Sequence, residues 1–147
     1  MLYESTVIQA VCEFLENKGF VIEQQLAEIQ QGDDIIAVAP NNSFRLFIEA
    51  KGETSSKEKT KRFGSLFSQN QVKTHVSVAF FLAAQMLQKK EQLPICVGIA
   101  LPKNSDHEYR ISQIEQALKT LNIEVFWVNS NKQVELAGFS SNFQKMD

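Results

Sequence analysis

Two cysteines, three prolines, one tryptophan and two histidines in 147 residues leave several functional classes with little to stand on. Cys12 and Cys96 lie in apolar segments with no CxxC or Cys/His spacing, so a disulfide framework and a zinc knuckle are both excluded. They read as buried free thiols of a reducing compartment. The longest apolar run, Val76 to Ala84, contains Ser77 and is far too short to cross a bilayer. The first residues, Met1 to Val11, carry Glu4 where a secretory signal has basic residues, so the expected location is cytoplasmic, with no membrane partner. No cationic excess advertises a polyanion partner, because the formal net charge is −2. That sum does not exclude one, since the distribution of charge matters more.

What is present is an ordinary globular composition, with 44% hydrophobic and 22% charged residues, at a length suited to one domain spanning residues 1–147. Residues 3–18 follow a helical period, with Val7, Ile8, Val11, Phe14 and Leu15 apolar and Gly19 as the stop. Glu4 shares the azimuth of Ile8, Val11 and Leu15. It is either a glutamate at a helix end reaching water or an acid that needs a partner. Phe20–Leu26 read as a strand, and Ala27–Gln31 as a polar connection.

The chain is organised around Gly32–Lys51, GDDIIAVAPNNSFRLFIEAK. Asn41-Asn42 suits a turn with positive φ, and Pro40 suits a strand end. A turn there sets Ala39 opposite Phe44 and Val38 opposite Arg45. Carried outward, the register sets Asp34 opposite Glu49, with Asp33 opposite Ala50 on the other face. Opposed residues have Cβ atoms roughly 4.5–5.5 Å apart, close enough for two carboxylates to share a cation. Lys51 shares the face of Glu49 because strand side chains alternate.

Gly52–Arg62 is polar and aperiodic, and holds Lys57, Lys59, Lys61 and Arg62. It is either solvated surface or a grip for a polyanion beside Lys51. Phe63 to about Lys90 reads as one long helix, with Val72, Val76, Ala79, Phe80, Ala83 and Leu87 inward. Gln71 and His75 share a flank of it. Such a histidine is more often packed than ligating, whereas Gln71 either caps a polar pocket or reaches toward the acids. Leu93–Leu101 is a buried strand, Asp106–Leu121 a helix with Ile111, Ile114, Ala117, Leu118 and Leu121 inward, and Ile123–Val128 a strand. Residues 132–139 suit a short edge strand, and the tail from about Ser140 is expected to be poorly ordered. The order predicts a three-layer α/β/α sandwich with a mixed sheet.

A glutamate on the first helix, Asp34-Ile35, a hairpin, and Glu49-Ala50-Lys51 before a helix together resemble the PD-(D/E)xK nuclease superfamily. That group has the restriction-endonuclease-like fold and includes Holliday junction resolvases. The resemblance covers roughly Glu4 to Ala84, and Gln71-Val72 is similar to a glutamine found in several branches. Asp33 stands where many members have proline; the pairing register and Ile35 favour Asp34 as the working aspartate.

The resemblance implies a nuclease hydrolysing DNA with Mg²⁺, for which Mn²⁺ substitutes. Asp34, Glu49 and the carbonyl of Ala50 would hold the metal. Lys51 would act on the attacking water or the developing charge, with Glu4 and Gln71 assisting. Lys57, Lys59, Lys61 and Arg62 would bind backbone phosphates. The implied setting is restriction, repair or recombination, as a homodimer or with a partner subunit that supplies target recognition. The alternative is a non-catalytic nucleic-acid-binding or assembly subunit with the same fold. A third reading, a surface ion cluster on an unrelated α/β protein, would leave the two carboxylates more than about 8 Å apart, beyond the reach of one Mg²⁺.

Overall fold

The computed structural model describes residues 1–26, 33–54 and 67–146, with side chains as far as 143. The polar connection Ala27–Gln31, the cationic residues Lys57, Lys59, Lys61 and Arg62, and the expected helix start at Phe63 lie outside the described residues.

The chain opens with helix α1, Glu4–Asn17, whose period-3.6 stripe buries Val7, Ile8, Val11 and Leu15. Gly19, at φ 90°, then provides the left-handed residue that ends it. Strands β1 (Val21–Gln25), β2 (Ile35–Val38) and β3 (Arg45–Ala50) follow. Helix α2 (Gln69–Met86) and strand β4 (Ile95–Pro102) come next. Helices α3 (Ser105–Ser112) and α4 (Glu115–Thr120) lead to strands β5 (Ile123–Val128) and β6 (Val134–Leu136). A 3-10 segment, Ser141–Met146, closes the described chain.

Among the described residues the strands form one mixed sheet in the order β1-β2-β3-β4-β5-β6. The pairs β3–β4 and β4–β5 are parallel, and the outer pairs are antiparallel. Parallel neighbours need crossovers, supplied by α2 and by the α3–α4 pair. These helices pack with Phe47, Val97, Ile99 and Val125 on one face of the sheet. Helix α1 packs with Ile35, Leu46, Ile48 and Phe126 on the other. The expectation of an α/β chain with a mixed sheet stands, with helices flanking both faces.

The hairpin register is as expected, since Val38 pairs with Arg45 and Ile35 with Ile48. Asn41 and Asn42 both take positive φ, 60° and 54°, and the N–H of Ala39 donates to the carbonyl of Phe44 at 2.9 Å.

Three expectations differ. The long helix is capped at Ser68, whose hydroxyl accepts from the N–H of Gln71 while the Gln71 side chain accepts from the N–H of Ser68. Such a reciprocal capping box defines a helix start. The expected helix Asp106–Leu121 is two helices. The Ser112 hydroxyl donates to the carbonyl of Tyr109 at 2.6 Å, and the next N–H groups tighten to i→i+3 bonds. As a result Ala117 and Leu121, placed inward on one continuous stripe, are exposed.

The described start of the tail is held at Ser140 and Phe143, both buried. Phe143 is buried edge-on against Phe44 and Phe126, each at 5.5 Å between ring centres, a burial of a kind that contributes roughly 2–3 kcal/mol. Buried Glu124 accepts from the backbone N–H groups of Val125, Gly138, Phe139 and Ser140, which fixes the path into that tail.

Candidate active site

The open end of the β2–β3 hairpin coincides with the carboxyl end of β3, next to parallel β4. Crevices outside the carboxyl ends of strands are where open α/β sheets bind ligands. Asp34 and Glu49 are the residues next beyond Ile35 and Ile48, the last pair of the observed register. By alternation they share the α2 face with Ile36 and Phe47.

At this point the backbone ladder hands over to a side chain. The N–H of Ala50 donates to Oδ2 of Asp34 at 2.8 Å, and the carbonyl of Asp34 accepts from the N–H of Leu26 at 2.9 Å. The aspartate is thereby anchored to both neighbouring strands. Asp34 is 8% exposed and Glu49 6%, and each carboxyl acts on the titration of the other.

Two acids that act on each other and lie largely out of water cannot both ionise cheaply. Burial first, and then the charge of Asp34, push Glu49 up to about 8. Asp34 is also raised by burial, against the opposing pull of the Ala50 N–H, Lys51 and Glu49. Burial thus favours the protonated form of both carboxyls, Glu49 above all. Lys51 stands on the same face, with Nζ 3.4 Å from Oε1 of Glu49.

No family model matches the chain, and no curated protein does either.

The remaining expected residues distribute unevenly. Asp33 does not sit opposite Ala50 on the far face: it pairs with Lys89 at 3.3 Å, and that ammonium lies over the Phe47 ring. Its backbone has already left the strand, so alternation no longer governs it. Glu4 opens α1, half-buried, on the opposite face of the sheet. Gly52 brings the two elements together, since a Cβ there would lie 2.5 Å from the Glu4 nitrogen. Among the described residues no group of three or more His, Cys, Asp or Glu side chains is gathered to hold a metal, so Glu4 does not complete such a set with Asp34 and Glu49. Gln71 spends its side-chain oxygen on the α2 cap.

Sequence reading missed the frame behind Lys51. Glu53 accepts from the N–H of Leu2 at 2.8 Å and from Nδ2 of Asn104 at 2.9 Å. Asn104 caps α3 and accepts from Nδ1 of His107, which is fully buried. Glu53 also bonds through its backbone to Leu2 and Phe67. The signal was available: Asn104 begins a helix as a typical N-cap, and Glu53 directly follows Lys51-Gly52.

A cavity of about 670 Å³ opens at the hairpin-turn end, lined by Lys18, Asn41, Phe44 and Asn142 among others. It lies at the far end of the sheet from the acids and carries none of their chemistry.

As a donor set, two carboxylates and a strand-end carbonyl suit a hard divalent cation that keeps several of its waters.

Proposed function

We propose that the chain is a Mg²⁺-dependent nuclease of the PD-(D/E)xK superfamily, with the restriction-endonuclease-like fold, hydrolysing phosphodiester bonds of DNA. The observation that carries this reading is the burial of Asp34 and Glu49 at one strand end, with Asp34 held by the Ala50 N–H and Lys51 Nζ 3.4 Å from Glu49. Asp34, held by the Ala50 N–H, and Glu49 would bind the cation, with the Ala50 carbonyl as a third oxygen. Bound there, Mg²⁺ supplies polarisation of a phosphate and a more acidic water. Lys51 presents a positive charge beside the position where charge develops on phosphorus, the kind of fixed electrostatic support that dominates such reactions. Glu4, behind Gly52, orders the first turn of α1 near the same strand end. Lys57, Lys59, Lys61 and Arg62 would hold backbone phosphates, and Mn²⁺ would replace Mg²⁺. A homodimer or a partner subunit would add target recognition.

One observation favours a second reading, a non-catalytic nucleic-acid-binding or assembly subunit: the described residues supply two ligating acids and no third. The test is cleavage of plasmid and linear DNA by purified protein with Mg²⁺ or Mn²⁺. Expected is cleavage that falls by roughly 10²–10³-fold in Asp34→Ala and Lys51→Ala. Wild-type activity in both variants sinks the nuclease reading. DNA binding without cleavage, together with calorimetry showing no metal uptake, selects the subunit.

A further inference from the structure

Helix α2 carries a face that neither the core nor the acids use. Its 18 residues include one permanently charged side chain, Lys73. An exposed helix normally turns charged residues to water, yet Asn70, Thr74, Ser77, Val78, Phe81 and Gln85 are exposed here without a charge among them. Two hydroxyls on this face are turned back on the helix. Thr74 Oγ1 donates to the carbonyl of Asn70 at 3.0 Å, and Ser77 Oγ to that of Lys73 at 2.7 Å. Phe81, 63% exposed, and Tyr109 of α3, at 59%, are the two aromatic rings left in solvent among the described residues. Val78, three residues before Phe81, widens the apolar patch.

Between α2 and α3 lies a recess of about 200 Å³, lined by Val76, Ser77, Phe80 and Ile114, with Arg110 beside them. It is smaller than the roughly 300–1,000 Å³ of ligand pockets and of a size for one side chain. Phe81 stands one turn after Ser77, so ring and recess share a face.

Charge decides what covers it. A polyanion needs several cations. Lys73 and Arg110 alone line the recess, and the Arg110 guanidinium already lies over the Tyr109 ring and donates to Gln113. An uncharged face with one ring and one recess is complementary to itself. We propose that this face binds a second copy of the chain about a two-fold axis, each Phe81 entering the recess of the other copy. Such a contact is isologous, so insertion and reception both occur twice. Helix α2 is about 27 Å long, and a strip one to two helix widths across gives roughly 300–500 Å² per copy. That is the low end for specific interfaces, so the dimer is weak and forms with concentration. None of these residues belongs to the acid pair, and the proposal does not rest on the nuclease reading.

Sedimentation velocity of the full chain and of Phe81→Glu, each shown to be folded by thermal melting, tests it. Expected for wild type is a rise toward the dimer value between about 10 μM and 1 mM. Phe81→Glu moves that rise about tenfold or more higher in concentration. Ser77→Lys, at the recess, weakens association alike. An equimolar mixture of the two variants associates more strongly than either alone, because the new charges meet across the axis. In ¹³C-methyl spectra the Val76 and Ile114 signals move with concentration, and that of Ile22 on β1 does not. A wild-type chain that stays monomeric throughout overturns the proposal, as does a dimer that Phe81→Glu leaves unchanged. Val76 and Ile114 signals that move only on adding a single-stranded oligothymidylate assign the face to nucleic acid and overturn it equally.

Discussion

At the scale of residues, the decisive feature is the burial of Glu49 beside Asp34, which favours its protonated form. Unfolded, Glu49 titrates near 4.5; folded, it is pushed up to about 8. Between those values the folded chain keeps a proton that the unfolded chain has released. This group's contribution to stability is therefore complete below pH 4.5 and is lost as pH rises through about 8. His107 acts with the opposite sign. Burial pushes it from 6.5 down to about 4, so its contribution is present above pH 6.5 and is lost as pH falls through 4. The window from pH 6.5 to 8 is thus where Glu49 shows most clearly. Metal-free protein is expected to melt at progressively lower temperature across it, by roughly 2–4 °C for each kcal/mol lost in a domain of this size. Glu49→Gln flattens the slope, and Mg²⁺ at pH 8 raises the melting temperature of wild type but not of the variant. Parallel slopes in calorimetric melts of the two proteins would refute the proton on buried Glu49.

At the scale of elements, the hairpin was readable because its register follows from one turn and a period of two. Asn41-Asn42 fixes the centre, and the pairs from Val38–Arg45 out to Ile35–Ile48 then follow. Asp33 was misplaced because the same arithmetic was carried past the point where strand geometry ends. The split between α3 and α4 escaped for a local reason. The hydrophobic period runs on through Ile111, Ile114 and Leu118, whereas the Ser112 hydroxyl takes the Tyr109 carbonyl that the helix needed. Gly52 shows what spacing alone does not carry. Its backbone meets the first residues of α1 so closely that an added Cβ lies 2.5 Å from the Glu4 nitrogen, 2.8 Å from the Tyr3 carbonyl carbon and 2.9 Å from the Leu2 oxygen. All three are main-chain atoms, with no flexible side chain to move aside. Gly52→Ala is expected to destabilise the chain by about 1–3 kcal/mol and to raise amide exchange in the first turn of α1 above that of its last. Unchanged denaturant midpoints with unchanged exchange at Glu4 and Ser5 would show that the strand end and the helix start are not coupled.

At the scale of the molecule, the sheet brings three separated pieces of sequence to one end. The carboxyl end of β3 carries Glu49 and Lys51, the start of β2 carries Asp34, and the first turns of α2 carry Gln71 and His75. Glu53 and Asn104 bolt that end to the start of the chain and to α3. On the α1 face of the sheet, Phe20, Phe44, Phe126 and Phe143 form an aromatic cluster. The burial of Phe143 was not legible because nothing local marks Phe44 and Phe126, the rings it meets. If the proposed nuclease reading holds, the one carboxylate pair described above would engage one scissile phosphate at a time. Cutting both strands of a duplex together then takes two chains, related most simply by a two-fold axis. On supercoiled plasmid the initial rate of open-circle formation is expected to rise linearly with protein concentration. The rate of direct linear product is expected to rise with its square until dimers saturate. Gel quantitation over a hundredfold range of protein separates the two orders. Linear product that grows in first order alongside the open circle, at concentrations where sedimentation shows monomers, would mean that a single chain cuts both strands, and the assignment of one working site per chain would fall.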